Sequence, residues 1–396
     1  MLLTGGGRRW RYALGAVVGA LMTLVAATPA LAGQGAGSGR ECRDVQVPVA
    51  LAQGQPADQR IYGKLCTPSR RPPDTIQLLV HGGFYTGLYW EFPDPSGGTD
   101  RYNYAAAANR AGFATLVIDR IGSGRSSHPL STKITLRSNV FTVHQVVQAI
   151  RRGEITAPGG RPFRKVVYVG HSYSTPVGWN LATDYGADID AAVFTSSGHV
   201  TTVTGQLLGL PGSYPAPLDP KLAGDGLDPG YLTTLPGTRD EFLYKPAEFD
   251  PAVVAFDEKT KSTATATELV TLFASVERPL DVRVPTLLVA GELDSQLCKE
   301  NFDAVPSATG GGAGAVGALV APFEDTTVNV AFVRLGGSDC SSPEALISDE
   351  RPYLGPHIPS VNAFVLARGP HDLNQALNAQ EYFTAVNDWI AAKLGR

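Results

Sequence analysis

A serine hydroxyl is a weak nucleophile at neutral pH. It attacks carbon only when a base takes its proton and an acid orients that base. One segment of this chain is suited to presenting such a serine: Val166-Val167-Tyr168-Val169-Gly170-His171-Ser172-Tyr173-Ser174. The apolar run from Lys165 to Val169 reads as a buried strand, and Thr175 to Tyr185 reads as a helix. Ser172 falls on the tight turn between them, with Gly170 supplying the small flank that a sharp turn needs. The chain has seven histidines that could act as the base. His371 follows an apolar run, Val361 to Ala367, within Gly369-Pro370-His371-Asp372. His357, between Pro356 and Ile358-Pro359, is its main rival. Asp294 follows the apolar run Pro285 to Ala290 in Gly291-Glu292-Leu293-Asp294, and Glu292 is the weaker alternative for the acid.

The serine segment resembles the nucleophile elbow, Gly-x-Ser-x-Gly, of the α/β-hydrolase family. It departs at Ser174, which stands where glycine is usual. The family orders its residues as Ser, acid, His along the chain. The resemblance therefore implies Ser172 as nucleophile, Asp294 as orienting acid and His371 as base. His81-Gly82-Gly83-Phe84-Tyr85 resembles the family's His-Gly loop. With the elbow it implies an oxyanion hole built from the backbone N–H of Tyr173 and of Phe84, with Gly83 as the second candidate. Asp119-Arg120-Ile121-Gly122-Ser123-Gly124-Arg125-Ser126 also resembles a family loop, and we read it as structural.

What the resemblance implies is cleavage of a carboxylic ester or lactone through an acyl-Ser172 intermediate. The partner is then a small molecule, and no metal or organic cofactor is required. An acyltransferase or a peptidase using the same three residues is the alternative, as is a catalytically silent binding module on the same fold. Epoxide hydrolases and dehalogenases of the fold carry Asp at the elbow, so Ser172 argues against them.

Those residues need a scaffold. Asp44–Leu51 and Gln59–Leu65 read as a hairpin. Thr75–Val80, Phe113–Ile118, Lys165–Val169, Ala191–Phe194, Pro285–Ala290 and Val361–Ala367 are predominantly apolar. Helical patterns separate most of them: Tyr102–Ala111, Leu136–Ile150 and Thr175–Tyr185, with a closing helix at Glu381–Leu394. Strands apolar on both faces, alternating with helices, predict a mostly parallel central sheet flanked by helices. In such sheets the functional loops lie beyond the carboxyl ends of the strands. Residues 199–281 break the rhythm and are rich in Pro, Gly and Thr. They are expected to form an inserted cap that governs substrate choice rather than chemistry, with Leu207 and Leu208 among its apolar residues. Tyr85, Tyr89 and Trp90 could line a pocket or pack the core.

Residues 1–32 combine Arg8, Arg9 and Arg11, an apolar run from Tyr12 to Ala27, and the small-x-small pattern Ala30-Leu31-Ala32. This is the make-up of a cleaved secretory signal peptide. The catalytic domain is then 33–396 and the protein secreted, with no stable membrane anchor after cleavage. Losing three arginines and no acid moves the formal charge from −4 to about −7. No basic run or stripe suggests nucleic acid. The four cysteines, Cys42, Cys66, Cys298 and Cys340, fit two disulfides in an exported chain. Of the three possible connectivities, Cys42–Cys66 and Cys298–Cys340 are expected, because each pair could join neighbouring elements. No Cys-x-x-Cys or His-x-x-x-His spacing supports a metal site.

Overall fold

The computed structural model describes residues 39–69, 72–97, 100–202, 212–276, 279–299, 329–330 and 333–395. The expected signal peptide, Leu207 and Leu208 lie outside them. Eight strands form one sheet. They are β1 (Arg40–Val49), β2 (Gln59–Pro68), β3 (Thr75–Val80), β4 (Ala114–Ile118), β5 (Lys165–His171), β6 (Ala191–Thr195), and, further along, Thr286–Gly291 and Val361–Leu366. Their order across the sheet is β1-β2-β4-β3-β5-β6, then Thr286–Gly291, then Val361–Leu366. The β1–β2 and β2–β4 pairs are antiparallel and the rest parallel. This is the α/β-hydrolase fold.

The continuous apolar character of the inner strands has a direct cause. Side chains alternate between faces of a strand, and here both faces are covered. Ile76, Leu78 and Val80 of β3 join one hydrophobic layer with Val166 and Tyr168 of β5. Helices α1 (Tyr104–Arg110), α2 (Leu136–Arg151) and α3 (Ser174–Asp184) pack on the sheet, with Val143, Val147, Val177 and Leu181 of α2 and α3 in that same layer. Leu79, Val167 and Val169 face the other way, with Tyr104 and Ala108 of α1 and with Tyr382 and Phe383 of the closing helix Ala379–Leu394.

Register then brings the strand ends level. Val80 pairs with Gly170, His171 with Thr195, Thr195 with Val289, and Gly291 with Leu366. The loops carrying His81, Ser172, Asp294 and His371 therefore leave one edge of the sheet together.

Residues 199–281 lie between two strands that pair directly, β6 and Thr286–Gly291. Their described part holds a small antiparallel sheet of β7 (Ser213–Pro215), β8 (Tyr231–Thr234) and β9 (Ala264–Thr265). It also holds helices α4 (Pro251–Thr260) and α5 (Ala266–Val276). The main-sheet strands that follow are thus β10 (Thr286–Gly291) and β11 (Val361–Leu366).

Two disulfides close the described chain. Cys42–Cys66 joins directly opposed residues of β1 and β2. Cys298–Cys340 joins the loop after β10 to the segment before helix Pro343–Glu350.

Candidate active site

Ser172 sits at the end of β5 with φ +50°, in the left-handed region. A non-glycine residue held there costs about 1–3 kcal/mol. The surrounding bonds hold it. Ser172 N–H donates to the Thr195 carbonyl at 2.9 Å, and Thr175 N–H donates to the Ser172 carbonyl at 2.8 Å. The turn is tight enough that a Cβ on Gly170 would come within 2.6 Å of the Ser174 carbonyl oxygen. Gly170 is therefore required by space.

His371 Nε2 lies 2.9 Å from Ser172 Oγ. Its Nδ1 lies 3.0 Å from both Asp294 carboxylate oxygens. His371 and Asp294 are buried. The His371 carbonyl accepts from Ser196 Oγ at 2.7 Å, which anchors His371 from the side away from Ser172 Oγ. The Leu293 N–H donates to the Gly369 carbonyl at 2.9 Å and joins the two loops. A Cβ on Gly291 would lie 2.3 Å from the Gly369 carbonyl oxygen, so only glycine lets the His371 loop cross the end of β10. Asp294 itself is fixed by accepting from the N–H groups of Gln296 at 2.9 Å and Leu297 at 3.2 Å.

Burial works to lower the pKa of His371. The Asp294 charge, its hydrogen bond and the charge of Asp372 outweigh burial, and the imidazole stands above its usual value. His357 is elsewhere: its side chain is 65% exposed and paired with Asp281 at 2.8 Å. Glu292 is exposed and accepts from the Arg368 N–H at 2.7 Å.

The His-Gly loop abuts the elbow. A Cβ on Gly82 would lie 3.1 Å from Ser172 Cβ, and one on Gly83 4.0 Å from Tyr173 Cβ. Phe84 has φ +62°, and its carbonyl accepts from the Ser262 N–H at 2.8 Å. Tyr173 is at the start of α3, where N–H groups lack intrahelical acceptors and the helix favours negative charge. Arg120 holds this loop from below. Its guanidinium donates to the Gly82 carbonyl at 3.3 Å, pairs with buried Glu268 at 3.1 Å and lies 4.5 Å from the Tyr173 ring centroid. Asp119 accepts from the N–H groups of Gly87 and Arg125 at 2.7 and 2.8 Å, so the Asp119–Ser126 loop is a braced turn.

Ser174, the departure from the elbow pattern, is fully buried and donates to the His81 carbonyl at 2.5 Å. Nothing in the local spacing shows this, because the two residues are 93 apart. Tyr85, Tyr89 and Trp90 pack the core, with Tyr89 stacked on His171 at 4.2 Å between centroids. Among the described residues one trio, His171, His371 and Asp372, brings possible metal-ligand atoms within 4.8 Å of one another. Both nitrogens of His371 already face Ser172 and Asp294, so a metal there would compete with those bonds.

The model of the alpha/beta hydrolase family matches residues 77–347, and the chain belongs to that family. No curated protein sequence matches it. Among solved structures it is similar to an esterase from Thermogutta terrifontis, at 14% identity and a TM-score of 0.49, covering 89% of this chain and 99% of that one. A monoacylglycerol lipase from Paleococcus ferrophilus has 14% identity and a TM-score of 0.46, covering 89% and 99%. An epoxide hydrolase from Vigna radiata has 14% identity and a TM-score of 0.46, covering 91% and 100%.

Proposed function

We propose that this hydrolase is an exported serine hydrolase that cleaves a carboxylic ester or lactone of a small molecule. The observation that carries the reading is the chain of contacts from Ser172 Oγ through His371 to both oxygens of Asp294. In this reading His371 Nε2 takes the Ser172 proton as Oγ attacks the substrate carbonyl. The resulting oxyanion accepts from the N–H of Tyr173 and from that of Phe84 or Gly83, each donor contributing about 3 kcal/mol in comparable sites. The protonated His371 then hands its proton to the leaving alkoxide, and acyl-Ser172 remains. Water, deprotonated by the same imidazole, attacks the acyl carbon and releases the acid.

The elbow presents a hydroxyl rather than a carboxylate, which supports acyl chemistry over epoxide opening. The two disulfides support export, since such bonds persist in oxidising compartments. Residues 199–281 then act as the cap over the site. The test is a panel of p-nitrophenyl esters of increasing chain length, with lactones and amides beside them. Turnover of esters or lactones above amides is expected. Absence of turnover across the panel, together with no fluorophosphonate adduct at Ser172, overturns the reading.

A further inference from the structure

A second polar chain runs from the insertion to the residue next to the base. Arg239 donates to Asp257 through Nε at 2.8 Å and through an Nη at 3.0 Å. Tyr244 Oη donates to Asp257 at 3.0 Å. Tyr85 Oη lies 3.1 Å from Asp257 Oδ2 and is also hydrogen-bonded to Asp372 Oδ2. The Arg239 guanidinium lies 4.4 Å from the Tyr85 ring centroid. Every one of these side chains is buried. The backbone follows the same route. Asp372 N–H donates to the Leu243 carbonyl at 3.0 Å, and the side-chain amide of Gln296, two residues from Asp294, donates to the Phe242 carbonyl at 2.9 Å.

The proton count gives this chain a direction. Tyr85 has one hydroxyl proton for two carboxylates. Asp257 is already served by Arg239 and Tyr244, so the Tyr85 proton goes to Asp372. Among the described residues no arginine is hydrogen-bonded to Asp372, Arg239 being bonded to Asp257; its Oδ1 lies 3.4 Å from His171 Nε2, at the outer limit of a hydrogen bond. Its negative charge is stabilised by the Tyr85 hydroxyl and, once His371 is protonated, by that imidazolium, a ring nitrogen of which lies within 4.8 Å of the carboxylate.

We propose that Asp372 is a positioning residue for His371, kept negatively charged by Tyr85, so that the insertion carrying Arg239, Tyr244 and Asp257 helps set the proton affinity of the base. This rests on His371 being the base of the reading above. The charged and titratable groups acting on Asp372 are His371, Arg239, Tyr85, Tyr89 and Asp294, with His171 against its Oδ1. Asp257 and Tyr244 stand behind Tyr85. Burial pushes the Asp372 carboxyl up to about 6, against the opposing pull of His371, Arg239 and the Tyr85 hydrogen bond. Loss of that charge removes one of the influences that hold the His371 pKa up.

The test uses the full chain and the pH dependence of fluorophosphonate labelling at Ser172. Asp372→Asn keeps the shape and removes the charge. Its acidic limb is expected to move to lower pH by about half a unit to one unit. Tyr85→Phe removes the donor and keeps the ring; more Asp372 is then neutral near pH 6, and the limb moves the same way by less. If Asp372→Asn does not fold, Tyr85→Phe carries the test. A merely structural role lowers the melting temperature and leaves the limb in place, and that result in a folded variant overturns the proposal. Failure of the underlying reading shows separately, as no labelling of Ser172 in the unaltered protein.

Discussion

The Ser174 hydroxyl donates to the His81 carbonyl and ties the turn that presents Ser172 to the loop that carries Gly83 and Phe84. The hydroxyl thus performs a task that glycine at the same position could not. Tyr168 Oη donates to the Ser174 carbonyl at 2.5 Å and fixes the same residue from the strand side.

Ser174→Ala should therefore cost more than its size suggests. It leaves a buried carbonyl without this donor, a loss of about 1–3 kcal/mol. We expect a lower melting temperature and a several-fold fall in kcat, because the N–H groups of the His-Gly loop lose their register with Ser172. Ester kinetics with thermal unfolding check this. Unchanged kcat in a variant of lowered stability would confine Ser174 to a structural role.

Ser172→Ala should abolish ester cleavage and leave the fold intact, since the hydroxyl is exchanged for hydrogen at a position held by backbone bonds. Mass mapping of a fluorophosphonate adduct should find Ser172. An adduct on another serine, or near-normal turnover by the folded variant, would move the nucleophile.

His371→Ala should remove most activity, by several orders of magnitude if the triad reading holds. His357→Ala should remove little, because its ring is exposed and paired with Asp281. The reverse pattern in two folded variants would reassign the base.

In the proposed mechanism His371 must be neutral to accept the Ser172 proton. Its pKa is raised above 6.5, so activity should be lost as pH falls through that raised value and regained as it rises. We expect the acidic limb of kcat/KM to have its midpoint above about 6.5, since kcat/KM reports the free enzyme. A midpoint at or below about 6 in the unaltered protein would contradict the balance of charges around His371.

Reduction of the disulfides should lower both stability and activity. On the chain-entropy view, closing loops of 24 and 42 residues stabilises by roughly 3–4 kcal/mol each. Cys298 lies in the loop of Asp294, which is further joined to the Cys340 segment by the Ser338 N–H donating to the Leu297 carbonyl at 2.7 Å. Peptide mapping with activity before and after reduction checks this. Full activity in fully reduced protein would separate the crosslink from the acid.

The sequence by itself determined the sheet. Short, mainly apolar runs such as Thr75–Val80 and Lys165–Val169, bounded by turn residues and alternating with helical patterns, read as strands covered on both faces, with the polar, glycine-rich segments at their carboxyl ends. It also marked a serine on a sharp turn and an interruption at 199–281, because turn chemistry and periodicity are local properties. Contacts across the fold were decided by tertiary structure alone. His371 and His357 are both histidines in proline-flanked loops, and only strand register brings His371 to 2.9 Å from Ser172 while His357 stays at the surface. Tyr85, Arg239, Asp257 and Asp372 carry no shared spacing. Tyr85 and Asp372 are 287 residues apart, and a buried charge finds its partner through the packing that excludes water around both.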